Sequence, residues 1–314
     1  MKIYSSILPA EELQTEVKME FPHVNFEFQK GIKEDLFLNA EVFITYGEDL
    51  TEELVLKADK LKWIMVMSAG LEKMPFDACK QMGILVTNAR GIHKIPIAEF
   101  TIGMMLQHVK HMKTLWENES NQVWERKLPM GELFSKTLLI LGIGAIGGEV
   151  ARLAKAFQMK TIGVNRSGEK AEWADEIYMM KDIKKALPEA DFIVSVLPST
   201  NETKHLLDES HFDLMKDSAV FINIGRGDLV EEEVILAALR DRKIAHAYLD
   251  VFYTEPLAEE HPFWSMDNVT VTPHISSLTK NYMPRSFEIF KHNLHTYIKK
   301  RADYINVIDM DRGY

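Results

Sequence analysis

The sequence predicts an α/β protein built as two doubly wound parallel-sheet domains, and three observations predict it. A chain of 314 residues is long for one compact domain and ordinary for two. Short apolar runs of strand length alternate with helical stretches over residues 1–90, and the alternation restarts from Lys136. Between the two blocks, Pro96 to Lys113 (PIAEFTIGMMLQHVKHMK) opens with a proline suited to the first helical position and then keeps helical periodicity. That helix is long enough to leave one domain and enter the next.

The elements follow in order. Met1–Leu8, Val24–Phe28, Ala40–Thr45, Leu61–Met67 and Gly83–Thr87 read as buried strands separated by helices, the pattern of parallel strands covered on both faces. After the crossing helix come strand TLLILG, a helix over Ile146–Phe157, strand TIGVN, a helical segment at Ile183–Leu187, and strands FIVSVL and AVFINI. A helix over Glu231–Arg240, strands AHAYLDV and NVTVTP, and a last helix from about Ser277 to Lys300 complete the second block. No repeat, low-complexity tract or long charge block interrupts this order, so solenoid and coiled-coil architectures have no support.

Composition narrows the function. With 46% hydrophobic and 27% charged residues the chain has the makeup of a soluble globular protein. Its 37 Lys and Arg against 47 Asp and Glu give a net charge of −10, the wrong sign for neutralising nucleic-acid phosphates. A local basic pocket for one small anion survives that argument. Cys79 is the one cysteine, so neither an internal disulfide nor a thiolate metal cluster can form, and a reducing, cytoplasmic setting is expected. The N-terminus lacks a signal-like apolar stretch, and the most apolar run, Thr137 to Gly148, is short of the ~20 residues that span a bilayer.

Gly142-Ile143-Gly144-Ala145-Ile146-Gly147 is a G-x-G-x-x-G that follows a strand and opens a helix, the context a dinucleotide-binding loop requires. Gly142 permits the tight turn, Gly144 lets a pyrophosphate approach the backbone, and Gly147 permits close helix–strand packing. The helix N-terminus adds free N–H groups and positive dipole. The next strand ends in Asn165-Arg166-Ser167, where an NAD site would place a carboxylate for the ribose 2′-hydroxyl. Arg166 can instead grip a 2′-phosphate, with Asn165 and Ser167 as further donors, so NADP(H) is favoured. With Arg166 as a solvated surface charge, NAD(H) remains possible.

Three more strand ends carry one ionisable residue each: Arg226 in INIGRG, Glu255 after LDVF, and His274 in TPHIS. The Arg fork suits a 2-oxo acid, because it meets a carboxylate and polarises the neighbouring carbonyl. His274 can deliver a proton near neutral pH, and Glu255 beside it would stabilise the imidazolium and fix the ring. Together they equip the chain to reduce a carbonyl by hydride transfer with no metal. Singly, each has a plainer reading, as a surface charge, a turn residue and a loop histidine.

With these motifs in place, the chain resembles the D-isomer-specific 2-hydroxyacid dehydrogenase family over nearly its whole length. The matching stretches are SAGLEKMPFD, TNARGIHKIPIAEF, GELFSKTLLILGIGAIG, LPSTNET, FINIGRGDLV, LDVFYTEPL and VTPHIS. The resemblance implies that Arg226 binds and polarises the oxo acid and that Glu255 and His274 form the acid/base pair. It further implies that Asp250 contacts the nicotinamide carboxamide, Leu197-Pro198 flanks the cofactor, and backbone amides near Ala69 and Gly70 hold the substrate carboxylate, with Arg226 and His274 completing the substrate contacts. The architecture it implies is a Rossmann dinucleotide-binding domain (99–277) inserted into a flavodoxin-like substrate domain (1–98 and 278–314), with the active site in the interdomain cleft. The segment Phe100–His111 and Trp116–Met130, which reads from composition as internal core, corresponds to a two-fold dimer contact in relatives, so a homodimer is expected.

The Asn165-Arg166-Ser167 stretch is similar to the arrangement in NADPH-preferring glyoxylate and hydroxypyruvate reductases. With the sequence ending soon after its last helix, the regulatory domain that many phosphoglycerate dehydrogenases append is not expected. The expected reaction is reduction of a small 2-oxo acid to the D-2-hydroxy acid. The alternatives are an NAD-linked phosphoglycerate or D-lactate dehydrogenase, or a dinucleotide-sensing interaction protein. Formate dehydrogenase is disfavoured by the His274–Glu255 pair. Residues near Tyr46, Met67 and Arg90 would line the substrate pocket, and Arg90 either meets a second acidic group or pairs with a neighbouring carboxylate.

Overall fold

A computed structural model describes residues 1–68, 71 and 73–310, and the chain divides into two compact units, Met1–Ile92 with Thr279–Tyr314, and His93–Leu278. The first crossing thus falls six residues ahead of the expected boundary. In the first unit, β1 (Lys2–Ser5), β2 (Asn25–Phe28), β3 (Val42–Thr45), β4 (Trp63–Val66) and β5 (Leu85–Asn88) form an all-parallel sheet in the order β2-β1-β3-β4-β5. This is the flavodoxin-type order, in which the chain reverses direction across the sheet between β1 and β3. Every residue of β3 and β4 is buried, as expected of central strands covered on both faces.

Helices α1 (Glu11–Glu20), α2 (Glu34–Leu38), α3 (Glu52–Leu56) and α4 (Phe76–Gln81) connect these strands. On one face of the sheet, Tyr4, Phe37, Phe43 and Val66 pack together. On the other, Ile3, Trp63 and Met65 meet Phe287, Phe290 and Leu294 from the last helix, Tyr282–Ile298. The Trp63 ring stacks on Phe290 at 5.5 Å and on Tyr297 at 5.7 Å, which ties the C-terminal helix to the sheet.

The second unit opens with α5 (Lys94–Val109) and α6 (Met112–Ser120). The expected single helix to Lys113 is broken at His111, whose backbone is left-handed with φ 49°. Pro96 also stands third in α5 and not first, as Pro284 does in the C-terminal helix, which starts five residues after its expected Ser277. Both prolines are tolerated because the first-turn N–H groups have no intrahelical acceptor. α6 buries none of its residues, so the reading of this stretch as internal core does not hold for it.

A seven-stranded parallel sheet follows, from β6 (Thr137–Leu141), β7 (Lys160–Asn165), β8 (Glu176–Met179), β9 (Phe192–Ser195), β10 (Val220–Asn223), β11 (His246–Leu249) and β12 (Val269–Val271). Its order is β12-β11-β10-β9-β6-β7-β8, reversing between β6 and β9. Helices α7 (Ala145–Ala156), α8 (Ile183–Ala186), α9 (Glu209–Phe212) and α10 (Glu232–Arg240) run between the strands. α5 and α7 cover one face of the sheet, where Ile97, Ile102, Met105, Val150 and Ala154 pack on Leu138, Ile140, Val194 and Ile222. α8 and α10 cover the other. β8 was not expected from sequence, because its EIYM is an edge strand of half-buried residues without an apolar run.

Candidate active site

The carboxyl edge of the seven-stranded sheet collects the expected motifs. At the reversal point between β6 and β9, where open α/β sheets present a ligand crevice, Gly142 leaves β6 with φ 97°, and a Cβ there would stand 3.1 Å from Leu197. A Cβ on Gly147 would come within 2.3 Å of the Gly142 carbonyl oxygen, so only glycine lets α7 pack this close to the strand. By contrast, a Cβ on Gly144 would meet nothing within 4 Å. α7 starts at Ala145 with no side-chain cap, so its first N–H groups, among them those of Ala145 and Ile146, have no side-chain acceptor at this end of the helix. A cradle with free donors and positive dipole fits a dinucleotide pyrophosphate.

At the end of β7, Asn165 serves the loop and is not a free donor as expected. Its Nδ2 donates to the Glu169 carbonyl at 2.8 Å, and its Oδ1 accepts from the Gly168 N–H at 2.6 Å. The physical reason is local, since Asn readily closes a turn onto backbone a few residues on. The closed loop displays Arg166 and Ser167 at the surface. Arg166 makes no ion pair or side-chain hydrogen bond among the described residues, whereas Ser167 Oγ accepts from the Glu169 N–H at 3.3 Å.

Glu255 and His274 meet. His274 Nδ1 lies 2.8 Å from Glu255 Oε2, and Glu255 Oε1 accepts from the Phe252 N–H at 3.0 Å. A carboxylate can only accept, so Nδ1 carries the hydrogen and the other ring nitrogen, Nε2, is left to work outward. Nε2 has no partner among the described residues. His274 has a left-handed backbone with φ 53°, fixed by the loop around it.

Asp250 holds that loop. Its buried carboxylate accepts from Thr272 Oγ1 at 2.6 Å, from the Ile275 N–H at 3.0 Å and from the Ser276 N–H at 2.9 Å, so both oxygens are bonded to the segment carrying His274. Sequence reasoning missed this role, as it missed Asn223. The Asn223 side chain donates to the Arg226 carbonyl at 3.0 Å and accepts from the Gly225 N–H at 3.2 Å, pinning the turn that carries Arg226. A polar side chain ending a strand buried at every position is the signal that could have found it.

Arg226 does not contact Glu255 or His274. Its Nη1 donates to its neighbour's carbonyl, Gly225 O, at 2.8 Å, and the other donors of the exposed guanidinium have no partner among the described residues. The turn is nevertheless seated against the Glu255 segment, since a Cβ on Gly227 would lie 1.9 Å from the Phe252 carbonyl carbon. Ala69 and Gly70 lie outside the described residues. Among the described residues no group of three or more His, Cys, Asp or Glu could hold a metal ion, and no helix is long and apolar enough to cross a membrane.

A glycine cradle at the reversal point of a parallel sheet, with a carboxylate–imidazole pair on the same edge, defines a dinucleotide-binding oxidoreductase unit. Residues 102–276 match the family described as "D-isomer specific 2-hydroxyacid dehydrogenase, NAD binding domain". The chain belongs to the D-isomer specific 2-hydroxyacid dehydrogenases, a family of NAD-dependent oxidoreductases. It is 34% identical to a glyoxylate reductase of Aeropyrum pernix over 77% of this chain and 75% of that one. It is 35% identical to a D-3-phosphoglycerate dehydrogenase of Methanocaldococcus jannaschii over 74% of this chain, but spans only 45% of that relative. The solved structure of a D-isomer specific 2-hydroxyacid dehydrogenase family protein from Aeromonas salmonicida subsp. salmonicida superposes with a TM-score of 0.84 at 32% identity, covering 99% of each chain.

Proposed function

We propose that the protein reduces a small 2-oxo acid of the glyoxylate or hydroxypyruvate type to the D-2-hydroxy acid, with NADPH preferred over NADH. The observation that carries this reading is the 2.8 Å contact of Glu255 with His274 on the sheet edge that also bears the glycine cradle. When bound, the reduced nicotinamide supplies the hydride. His274 gives the Nε2 proton to the carbonyl oxygen as charge builds there, while Glu255 holds Nδ1 and stabilises the imidazolium. Arg226 fixes the substrate carboxylate with its free donors and polarises the carbonyl. Asp250 and Asn223 hold the loops on which His274 and Arg226 stand.

Cofactor preference rests on Arg166, an exposed cation with no ion pair among the described residues and no carboxylate at 165–167, a surface suited to a 2′-phosphate. The reading extends to a homodimer formed through the segment after α5. Trp116, Val123, Trp124 and Met130 stand exposed there, Trp124 at 90%, and a second copy would cover them. A panel of 2-oxo acids assayed with NADPH and NADH tests the function. Fastest turnover of glyoxylate or hydroxypyruvate with NADPH is expected. Tight NADPH binding with no turnover of any acid would overturn the reading in favour of a dinucleotide sensor.

A further inference from the structure

The amino edge of the seven-stranded sheet, opposite the edge that carries the glycine cradle and the Glu255–His274 pair, holds a cavity of about 200 Å³ that lies wholly within the second unit. It exceeds the roughly 150 Å³ of an apolar cavity that takes up benzene. Its apolar lining comes from Phe192 and Val220, the first residues of β9 and β10, and from Val109 at the end of α5. One wall is closed by hydrogen bonds. The Gly131 N–H donates to the Val109 carbonyl at 2.7 Å, Lys110 Nζ donates to the Gly131 carbonyl at 2.8 Å, and His111 Nε2 donates to the Pro129 carbonyl at 3.0 Å.

The polar groups of the lining divide into one that is engaged and several that are open. Asp191 is engaged, because its Oδ1 accepts from Lys216 Nζ at 2.9 Å and its Oδ2 from the Thr137 N–H at 2.8 Å. His108 lines the cavity as a neutral ring, since burial and then His111 hold it below the usual imidazole range, and neither of its nitrogens is hydrogen-bonded among the described residues. Ser218 Oγ is open in the same sense. Glu132 and Lys136 complete the lining. Both are exposed, and neither has an ion pair among the described residues, even with the other. One cavity therefore presents a carboxylate and an ammonium that do not meet.

We propose that this cavity binds a free α-amino acid with an aliphatic side chain. The ligand ammonium goes to Glu132, its carboxylate to Lys136 and Ser218, and its side chain onto Phe192, Val220 and Val109. A zwitterion answers both unpaired charges at once, whereas a simple acid or amine answers one and leaves the other. The neutral His108 ring adds an N–H and a lone pair without adding charge. The site stands apart from hydride transfer and does not depend on the function proposed above.

Isothermal calorimetry on the full chain tests it with L-leucine, with isocaproate, which lacks the ammonium, and with isoamylamine, which lacks the carboxylate. Leucine is expected to bind, and each analogue to bind about three- to tenfold more weakly, the size of a charge contact at an exposed rim. Glu132→Gln and Lys136→Met should weaken leucine by a similar factor, and both positions are exposed, so the variants keep the fold. Ser218→Trp, at a third exposed position, should block the cavity and abolish binding. Arg226→Met should bind leucine as the parent does. Equal binding of leucine and both analogues overturns the proposal, as does loss of binding in Arg226→Met, which would place the ligand on the catalytic edge. Absence of leucine binding to the parent, the result expected if a second copy covers the cavity in solution, overturns it too.

Discussion

The second unit should lose stability in mild acid through a histidine pair remote from the proposed chemistry. His246 on β11 and His108 on α5 stand 5.5 Å apart between ring centroids. His246 Nε2 is 2.9 Å from Thr270 Oγ1, and His108 packs edge-on against Phe192 and Tyr248. Burial first, then the neighbouring His108 and Lys113, hold His246 down at about 4, with Asp267 opposing; burial and His111 lower His108 as well. Both rings are thus neutral in the fold, and the unfolded chain takes up protons from about pH 6.5 downward. More protons on the unfolded side means that stability falls as pH drops, from 6.5 through about 4. For His246 alone the difference from 6.5 to about 4 amounts to about 3 kcal/mol at roughly 1.4 kcal/mol per tenfold in proton affinity. Urea unfolding followed by circular dichroism at about pH 7.5 and about pH 4.5 measures it. His246→Gln keeps a polar contact for Thr270 and removes the titration, so the variant should lose less stability over that interval than the parent. Parallel losses in parent and variant would refute the reasoning, since carboxylate titration common to both would then account for the whole fall.

Two further outcomes are expected. Gly147→Ala drives a methyl into the Gly142 carbonyl oxygen, 2.3 Å away, and against Ile140. Because backbone cannot yield as a side chain does, it should cost about 1–3 kcal/mol in urea unfolding and raise the NADPH dissociation constant; a parent-like variant in both respects would show the loop to be loosely packed. Arg166→Ala should weaken NADPH about ten- to a hundred-fold and NADH far less, measured by cofactor fluorescence titration; an equal effect on both would remove the 2′-phosphate assignment.

The glycine loop was legible in the sequence because its parts are adjacent: the strand, the turn at Gly142 and the helix after Gly144 are read from six residues and their flanks. The buried strands were legible for the same reason, each being a continuous apolar run, and β8 was not, because an edge strand needs no such run. The breaks in the helices escaped because a left-handed residue such as His111 carries no compositional mark, and because Pro96 and Pro284 are as acceptable third in a helix as first. Glu255 and His274 could be named as partners by type, but their contact depends on supports distant along the chain. Asp250 is the clearest case. It reads as the polar end of a strand, and only the folded sheet brings β11 and β12 side by side, so that its two oxygens reach Thr272, Ile275 and Ser276.

That placement bears on how the site works. The Asp250 carboxylate is spent on three donors of the loop that follows β12, the Glu255 carboxylate is shared between the Phe252 N–H and His274 Nδ1, and the Asn223 amide is spent on the Arg226 turn. The supporting groups therefore have their hydrogen bonds made within the protein. Among the described residues of this edge, His274 Nε2, the outer donors of Arg226 and the first N–H groups of α7 keep open capacity. On the function proposed above, they serve as proton donor, carboxylate clamp and phosphate cradle. On that reading, fixed supports around them mean that little reorganisation is needed when charge develops on a carbonyl oxygen, which is the condition under which hydrogen bonds of ordinary strength accelerate a reaction.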